Sequence, residues 1–233
     1  MSKKTKKNNV TVLHQNILDL RPIVPLTANQ GETFDAYDDG YNLVLHGYAG
    51  TGKTFISMYL ALKEILSFHS QYDRVVIVRS VVPSREMGFL PGSLSEKTEV
   101  FEEPYQEICT DLFTRLDAYT LLKNRKKIEF TTTSFLRGTT LNNAIVIADE
   151  VQNLSFHECD TVMTRIGENS RIIYCGDFRQ TDLNKPHEKE GMTQFMRIID
   201  NINTFRHIEF KKEDICRSEL VKQYIIQKAE LGF

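Results

Sequence analysis

Eight consecutive residues, Gly47-Tyr48-Ala49-Gly50-Thr51-Gly52-Lys53-Thr54, fill every defining position of a phosphate-binding loop. Successive backbone N–H groups in such a loop point inward and cradle the phosphates of a nucleotide, and Gly50 and Gly52 allow conformations that a Cβ would forbid. Within it, Lys53 reaches the β- and γ-phosphates, and the Thr54 hydroxyl ligates Mg²⁺. The flanks agree with this reading. Tyr41 to His46 has the character of a strand, while Phe55, Ile56, Tyr59, Leu60, Leu62, Ile65 and Leu66 form a broad apolar face at helical spacing between Thr54 and Phe68. The loop is therefore expected to end at a helix N-terminus, whose dipole favours phosphate.

Length and composition limit what can surround the loop. A chain of 233 residues with 41% apolar residues can bury one sizeable core, and one domain over residues 13–233 is the simplest organisation. Residues 1–12 read as a basic, solvated tail carrying Lys3, Lys4, Lys6 and Lys7, or more sharply as a weak tether for a phosphate backbone. No apolar run follows it, so neither a signal peptide nor a membrane anchor is expected. A net charge of −2 gives no global basic field, so any nucleic-acid surface must be a local patch. Cys109, Cys159, Cys175 and Cys216 are scattered without C-x-x-C pairing, which speaks against zinc and disulfides and makes a reducing, cytoplasmic compartment the default. Cys175 lies in an apolar run and is expected to pack as a small hydrophobe.

Apolar runs at Arg74 to Arg79, Ala144 to Ala148 and Arg171 to Cys175 repeat the strand signature, and Lys127 to Thr133 and Phe205 to Lys211 are weaker candidates. The stronger runs are continuous rather than alternating, as in strands covered on both faces, which favours an α/β fold with a mostly parallel sheet flanked by helices. Helical patterns lie between them: Ser95 to Phe101, interrupted at Pro104 and resuming to about Leu122, then Ser155 to Ile166, Met192 to Asn201 and Arg217 to Leu231. Asn8 to Phe34, with Pro22 and Pro25, is too broken for a long element and leads into the first strand through an acidic turn at Asp38, Asp39 and Gly40.

Hydrolysis needs more than a phosphate cradle. Asp149 and Glu150 close the buried run Ala144 to Ala148, where Asp149 can hold Mg²⁺ directly or through its water shell and Glu150 can polarise the attacking water. Alone, two adjacent carboxylates read as a polar strand end; an upstream phosphate loop gives them a task. Tyr174 to Gln180 is a second strand running into a polar turn. Gln180 there either touches the γ-phosphate or its water, or belongs to a capped turn in which Asp177 satisfies its own backbone.

Together, the phosphate loop, Asp149-Glu150-Val151-Gln152-Asn153 and Gly176-Asp177-Phe178-Arg179-Gln180-Thr181-Asp182-Leu183 resemble the PhoH-like family of phosphate-starvation-associated ATPases. Met87 to Gly92 and Leu136 to Asn143 match two further family segments, in the same order. The resemblance implies a RecA-like P-loop NTPase domain related to the motor core of superfamily 1 helicases, with ATP and Mg²⁺ as ligands. It implies that Gln30 reads the adenine edge, because an amide that donates and accepts selects adenine over guanine. Arg217 is similar to a family arginine that acts as a finger on the transferring phosphoryl group, and Arg79 and Arg85 fall where related motors hold single-stranded nucleic acid. A single core needs its arginine from a folded-back tail or a neighbouring subunit, and the neighbour is favoured, giving a heterologous interface that closes into a ring. Family likeness makes that ring a hexamer with Arg217 acting in trans. Val151 and Phe178 depart from the family's usual alanine and proline, but neither carries a polar role. The residues before Gln30 are too few for the nuclease domain of some relatives, so nuclease activity is not expected.

Two functions compete on this basis. One is Mg²⁺-dependent ATP hydrolysis coupled to movement along, or remodelling of, single-stranded RNA or DNA. The other is a nucleotide-dependent interaction or assembly switch without nucleic acid. A small-molecule kinase is disfavoured by Glu150, since a water-orienting carboxylate serves hydrolysis rather than transfer.

Overall fold

The computed structural model describes residues 18–80, 94–177 and 186–231, with backbone alone at 94–98 and 186–190. In chain order its elements are α1 (Ala28–Asp38), β1 (Asn42–Gly47), α2 (Lys53–Ile65), β2 (Arg74–Arg79), α3 (Leu94–Phe113), α4 (Ala118–Asn124), β3 (Ile128–Thr132), β4 (Ala144–Asp149), α5 (Phe156–Arg165), β5 (Arg171–Gly176), α6 (Pro186–Ile199), β6 (Phe205–Phe210) and α7 (Glu219–Glu230). The six strands form one sheet in the order β3-β2-β4-β5-β1-β6, and every pairing is parallel. The lysine-rich tail expected over 1–12 lies outside the described residues, as do Arg85, Gln180 and the Met87 to Gly92 turn.

Strand residues divide between two cores by simple alternation. Leu43, Leu45, Val75, Ile77, Ile145, Ile147, Ile173 and Cys175 face α1 to α4, whereas Val44, Val76, Val78, Val146, Ala148, Ile172 and Tyr174 face α5 and α6. Because both faces are covered, the strands read as unbroken apolar runs in the sequence. Cys175 is buried as expected, and burial raises its thiol pKa, so it stays protonated. Among the described residues no helix is long and apolar enough to cross a membrane.

Two elements differ from the sequence expectation. A full helix, α1, occupies the end of the segment read as too broken. The Thr27 hydroxyl caps it by accepting from the Gln30 amide, and Asp39 and Gly40 close it, so its signal lies in its ends rather than in apolar periodicity. Arg171 at the start of β5 then fastens α1 to the sheet, donating to the carbonyls of Tyr37 and Tyr41 at 2.7 Å each and lying 3.8 Å over the Tyr37 ring. Helix α3, by contrast, runs straight through Pro104. The carbonyl that loses its partner belongs to Val100, which is 53% exposed, so water can take the bond.

Glu158 joins the upper ends of three elements. Its Oε1 accepts from the hydroxyls of Ser80 (2.9 Å) and Thr133 (2.7 Å), and its Oε2 accepts from the amide and hydroxyl of Ser155 in the capping box of α5. Burial raises the carboxyl pKa, but these four donors outweigh it and hold the group below its ordinary 4.5. A carboxyl with a depressed folded-state pKa contributes stability that is present above its unfolded value and is lost as pH falls through the folded value. Glu158→Gln, which turns an amide donor toward groups that already donate, is expected to lower unfolding free energy at neutral pH by about 1–3 kcal/mol. In urea titrations the gap from the wild type should narrow as pH falls below 4.5.

Candidate functional site

All six strands deliver their carboxyl ends to one edge of the sheet, where the loop after β1 turns into α2. The first intrahelical bond of α2 runs from the Ile56 N–H to the Gly52 carbonyl at 2.9 Å, and no side chain caps the helix. The amides of Lys53, Thr54 and Phe55 are thus left without helical partners, and an anion can meet them. Lys53 folds back over the loop, its Nζ donating to the carbonyls of Gly47 (3.0 Å) and Tyr48 (2.7 Å). Burial lowers its pKa, while Asp177, Cys175, Glu150 and Asp149 act to raise it.

Across the crevice, β4 ends at Asp149. Its Oδ1 accepts from the Thr54 hydroxyl at 2.9 Å and its Oδ2 from the Tyr105 hydroxyl of α3 at 2.8 Å. Burial raises the carboxyl pKa, the neighbouring Glu150 adds to that, and the hydrogen bonds and Arg79 oppose it. Thr54 and Asp149 suit Mg²⁺, which is commonly held by one or two protein oxygens together with waters and phosphate oxygens. Their hydroxyl and carboxylate already meet beside the loop, so the donor set fits. Glu150 follows with a left-handed backbone (φ 53°, ψ 44°), and a 3₁₀ turn over Val151–Asn153 carries Gln152, whose amide nitrogen donates to Glu150 Oε2.

The cavity above the loop holds 720 Å³ and is lined by Arg21, Ile23 and Leu26 together with Glu107 and Asp111 of α3. Gln30 sits at its inner end, almost wholly buried. Its Oε1 accepts from the Leu26 amide at 2.7 Å, and its Nε2 donates to the Thr51 carbonyl at 3.1 Å. One lone pair of Oε1 remains for a ligand.

Arg217 lies at the same cavity in its own chain. The Cys216 amide donates to the Gly50 carbonyl at 2.9 Å, and the Arg217 Cγ comes within 2.9 Å of where a Cβ on Gly50 would stand. Only glycine, at φ +73°, lets that side chain cross the loop. The segment after β6 thus folds back over the loop of its own chain, the arrangement that stood as the alternative to a neighbouring subunit. Asp214 anchors the fold-back by accepting from Asn29 of α1 at 2.6 Å and from the Lys211 amide at 2.8 Å.

Arg79, expected to meet nucleic acid, is the register partner of Asp149 at the end of β2, with its guanidinium 5.7 Å over the Phe101 ring. It borders the Asp149 cluster. Sequence reasoning missed Tyr105, Gln152 and the Arg21 to Leu26 wall. Gln152 stood inside a quoted motif without a role, and nothing in sequence aims Tyr105 at a strand end three elements away.

The family model for the PhoH-like protein matches residues 22–229. The chain belongs to the PhoH-like family. A PhoH-like protein of Synechocystis is 34% identical over 180 residues, covering 77% of this chain and 54% of the relative. Protein PhoH of Escherichia coli is 31% identical over 210 residues, covering 88% and 58%. This PhoH-like chain thus spans little more than half the length of those relatives. Among solved structures, the large terminase of a thermophilic bacteriophage superposes with a TM-score of 0.52 at 13% identity, covering 86% of this chain and 50% of the terminase. The fold is, as expected, α/β of the RecA-like P-loop kind, a parallel sheet flanked by helices.

Tyr105→Phe keeps the ring that packs 5.8 Å from Phe130 and removes only the hydroxyl on Asp149. Unfolding free energy is expected to fall by about 1–3 kcal/mol in urea. With the carboxylate less firmly oriented, the Mg²⁺ concentration for half-maximal nucleotide binding should rise, as a titration with a fluorescent ATP analogue would show.

Proposed function

We propose that the chain is a Mg²⁺-dependent ATPase that couples hydrolysis to binding, translocation or remodelling of single-stranded nucleic acid. The observation that carries this reading is the meeting of Thr54, Asp149 and Glu150 beside the phosphate loop. Lys53 exchanges its neutral carbonyl partners for β- and γ-phosphate oxygens, a stronger, charge-assisted contact. Mg²⁺ held by Thr54 and Asp149 neutralises charge on those oxygens when bound. Glu150 polarises the water that attacks the γ-phosphorus, and the broken bond leaves ADP and inorganic phosphate. Gln180 is assigned to the γ-phosphate or that water on motif grounds. The remaining lone pair of Gln30 Oε1 accepts from the adenine amino group, between the walls of Ile23 and Leu26. An ADP complex of the phage terminase, which shares the fold, is in keeping with an adenine nucleotide.

Arg217 acts on the nucleotide of its own chain, in keeping with its place across Gly50. Arg79, next to Ser80 in the chain and beside Asp149 in register, and Arg85 beyond it take the nucleic-acid phosphates; the nearness of Arg79 to the metal-holding carboxylate couples strand binding to turnover. A second reading, a nucleotide-dependent interaction switch, is favoured by α7. This helix begins just after Arg217 and its cap Ser218, has no fully buried residue, and exposes Leu220 at 77% and Tyr224 at 68%, with Leu231 at its C-terminal cap exposed at 68%. We infer that a homo-oligomer, a ring of six by family likeness, covers that face; solution mass with and without an ATP analogue tests it.

ATPase rates measured with and without single-stranded RNA and DNA at two salt concentrations decide between the readings. Strong, salt-sensitive stimulation is expected, and indifference to nucleic acid would leave the switch. Lys53→Ala should lose nucleotide binding or turnover, and Glu150→Gln should bind ATP while hydrolysing it slower by ~10² or more. Arg217→Ala should turn over poorly, and mixing it with Lys53→Ala protein should restore nothing. Recovery on mixing would place the arginine in a neighbour's site.

A further inference from the structure

Glu150 leaves β4 in a left-handed conformation that holds its backbone but not the end of its side chain. What holds the carboxylate is Gln152. The Gln152 amide is 7% exposed and engaged at both ends: Oε1 accepts from the Asp177 amide at the end of β5 at 3.0 Å, and Nε2 donates to Glu150 Oε2. The Asp177 contact fixes which way the amide faces, since a backbone N–H needs the oxygen, so the nitrogen must point at Glu150. Gly176 is the condition for this arrangement. A Cβ there would stand 2.6 Å from Gln152 Oε1 and 3.2 Å from the amides of Val151 and Gln152. Among the described residues, Glu150 Oε1 has no protein donor, so one carboxylate oxygen is pinned and the other is left for water.

We propose that Gln152 is a positioning residue that sets the direction of the Glu150 carboxylate and ties it to the end of β5. The inference rests on the hydrolytic reading above and adds to it a route by which the Gly176–Asp177 turn governs water activation. Were Gln152 there only to satisfy a buried amide, its donor could serve any backbone carbonyl. It is spent on the one carboxylate assigned to the attacking water, and a misdirected base costs rate rather than binding.

The test compares wild type, Gln152→Ala, Gln152→Met, Gly176→Ala, Glu150→Gln and the Gln152→Ala/Glu150→Gln double variant. Steady-state hydrolysis and affinity for a fluorescent ATP analogue are read, with thermal melts as the check on folding. Gln152→Ala should lower kcat by at least about tenfold while KM and analogue affinity stay within about twofold. Gln152→Met, which keeps the volume and removes the hydrogen bonds to Glu150 and Asp177, should behave alike, as should Gly176→Ala, which displaces the amide. In the Glu150→Gln background, Gln152→Ala should cost no further rate, because its effect passes through that carboxylate. Normal turnover in the Gln152 variants, a loss that multiplies with that of Glu150→Gln, or a parallel loss of nucleotide affinity overturns the proposal. Wild-type protein that binds the analogue but releases no phosphate overturns the hydrolytic reading itself, before any variant is compared.

Discussion

Parallel pairing in fixed register is the constraint on which the site depends. It sets Arg79 opposite Asp149, His46 opposite Gly176 and Gly47 opposite Phe210, so groups far apart in sequence reach one edge together. A slip of one residue in β4 would exchange its two faces and send Asp149 away from Thr54. The apolar alternation that fills the two cores therefore also places the Asp149 carboxylate. Core and site are specified by the same residues.

Charge is concentrated at that edge under conditions that oppose it. Lys53 and Asp149 are both shifted toward neutrality by burial, and each is kept usable by directed partners: loop carbonyls for the lysine, two hydroxyls for the carboxylate. Neutral partners compensate a buried charge only partly. On the proposed function, a triphosphate with its metal would supply the opposite charges that these partners do not, and so complete the electrostatics of the site. The hydroxyl of Tyr105 extends this logic to α3, making the helix that walls the cavity also a support for Asp149.

Much of this was legible in the sequence because it is local. The loop announces itself by glycine spacing, the strands by unbroken apolar runs, and Asp149 and Glu150 by standing at the end of one. What escaped was written in other terms. Helix α1 is defined by the Thr27 cap and by Arg171 reaching across from β5, and neither leaves an apolar period. Pro104 looked like a break because a lost backbone bond is costly when buried, and at Val100 it is not. Tyr105 and Gln152 act by reaching across elements, and only the assembled sheet shows what they meet. The role given to Arg217 came from likeness; its placement came from a chain reversal anchored by Asp214 that no spacing encodes.

That reversal gives the loop three separate supports. Gln30 of α1 holds the Thr51 carbonyl, Phe210 of β6 accepts from the Tyr48 amide at 3.0 Å, and Cys216 holds the Gly50 carbonyl. A nucleotide that reshapes the loop must therefore disturb contacts leading to α1, to the sheet edge and to the start of α7. The first two are locked into the core by buried neighbours, whereas no residue of α7 is fully buried. Of the three supports, the one leading to α7 is the least costly to displace, because moving it costs the fewest buried contacts. The Cys216–Arg217 segment therefore ties the loop to the start of α7, the helix that exposes Leu220 and Tyr224.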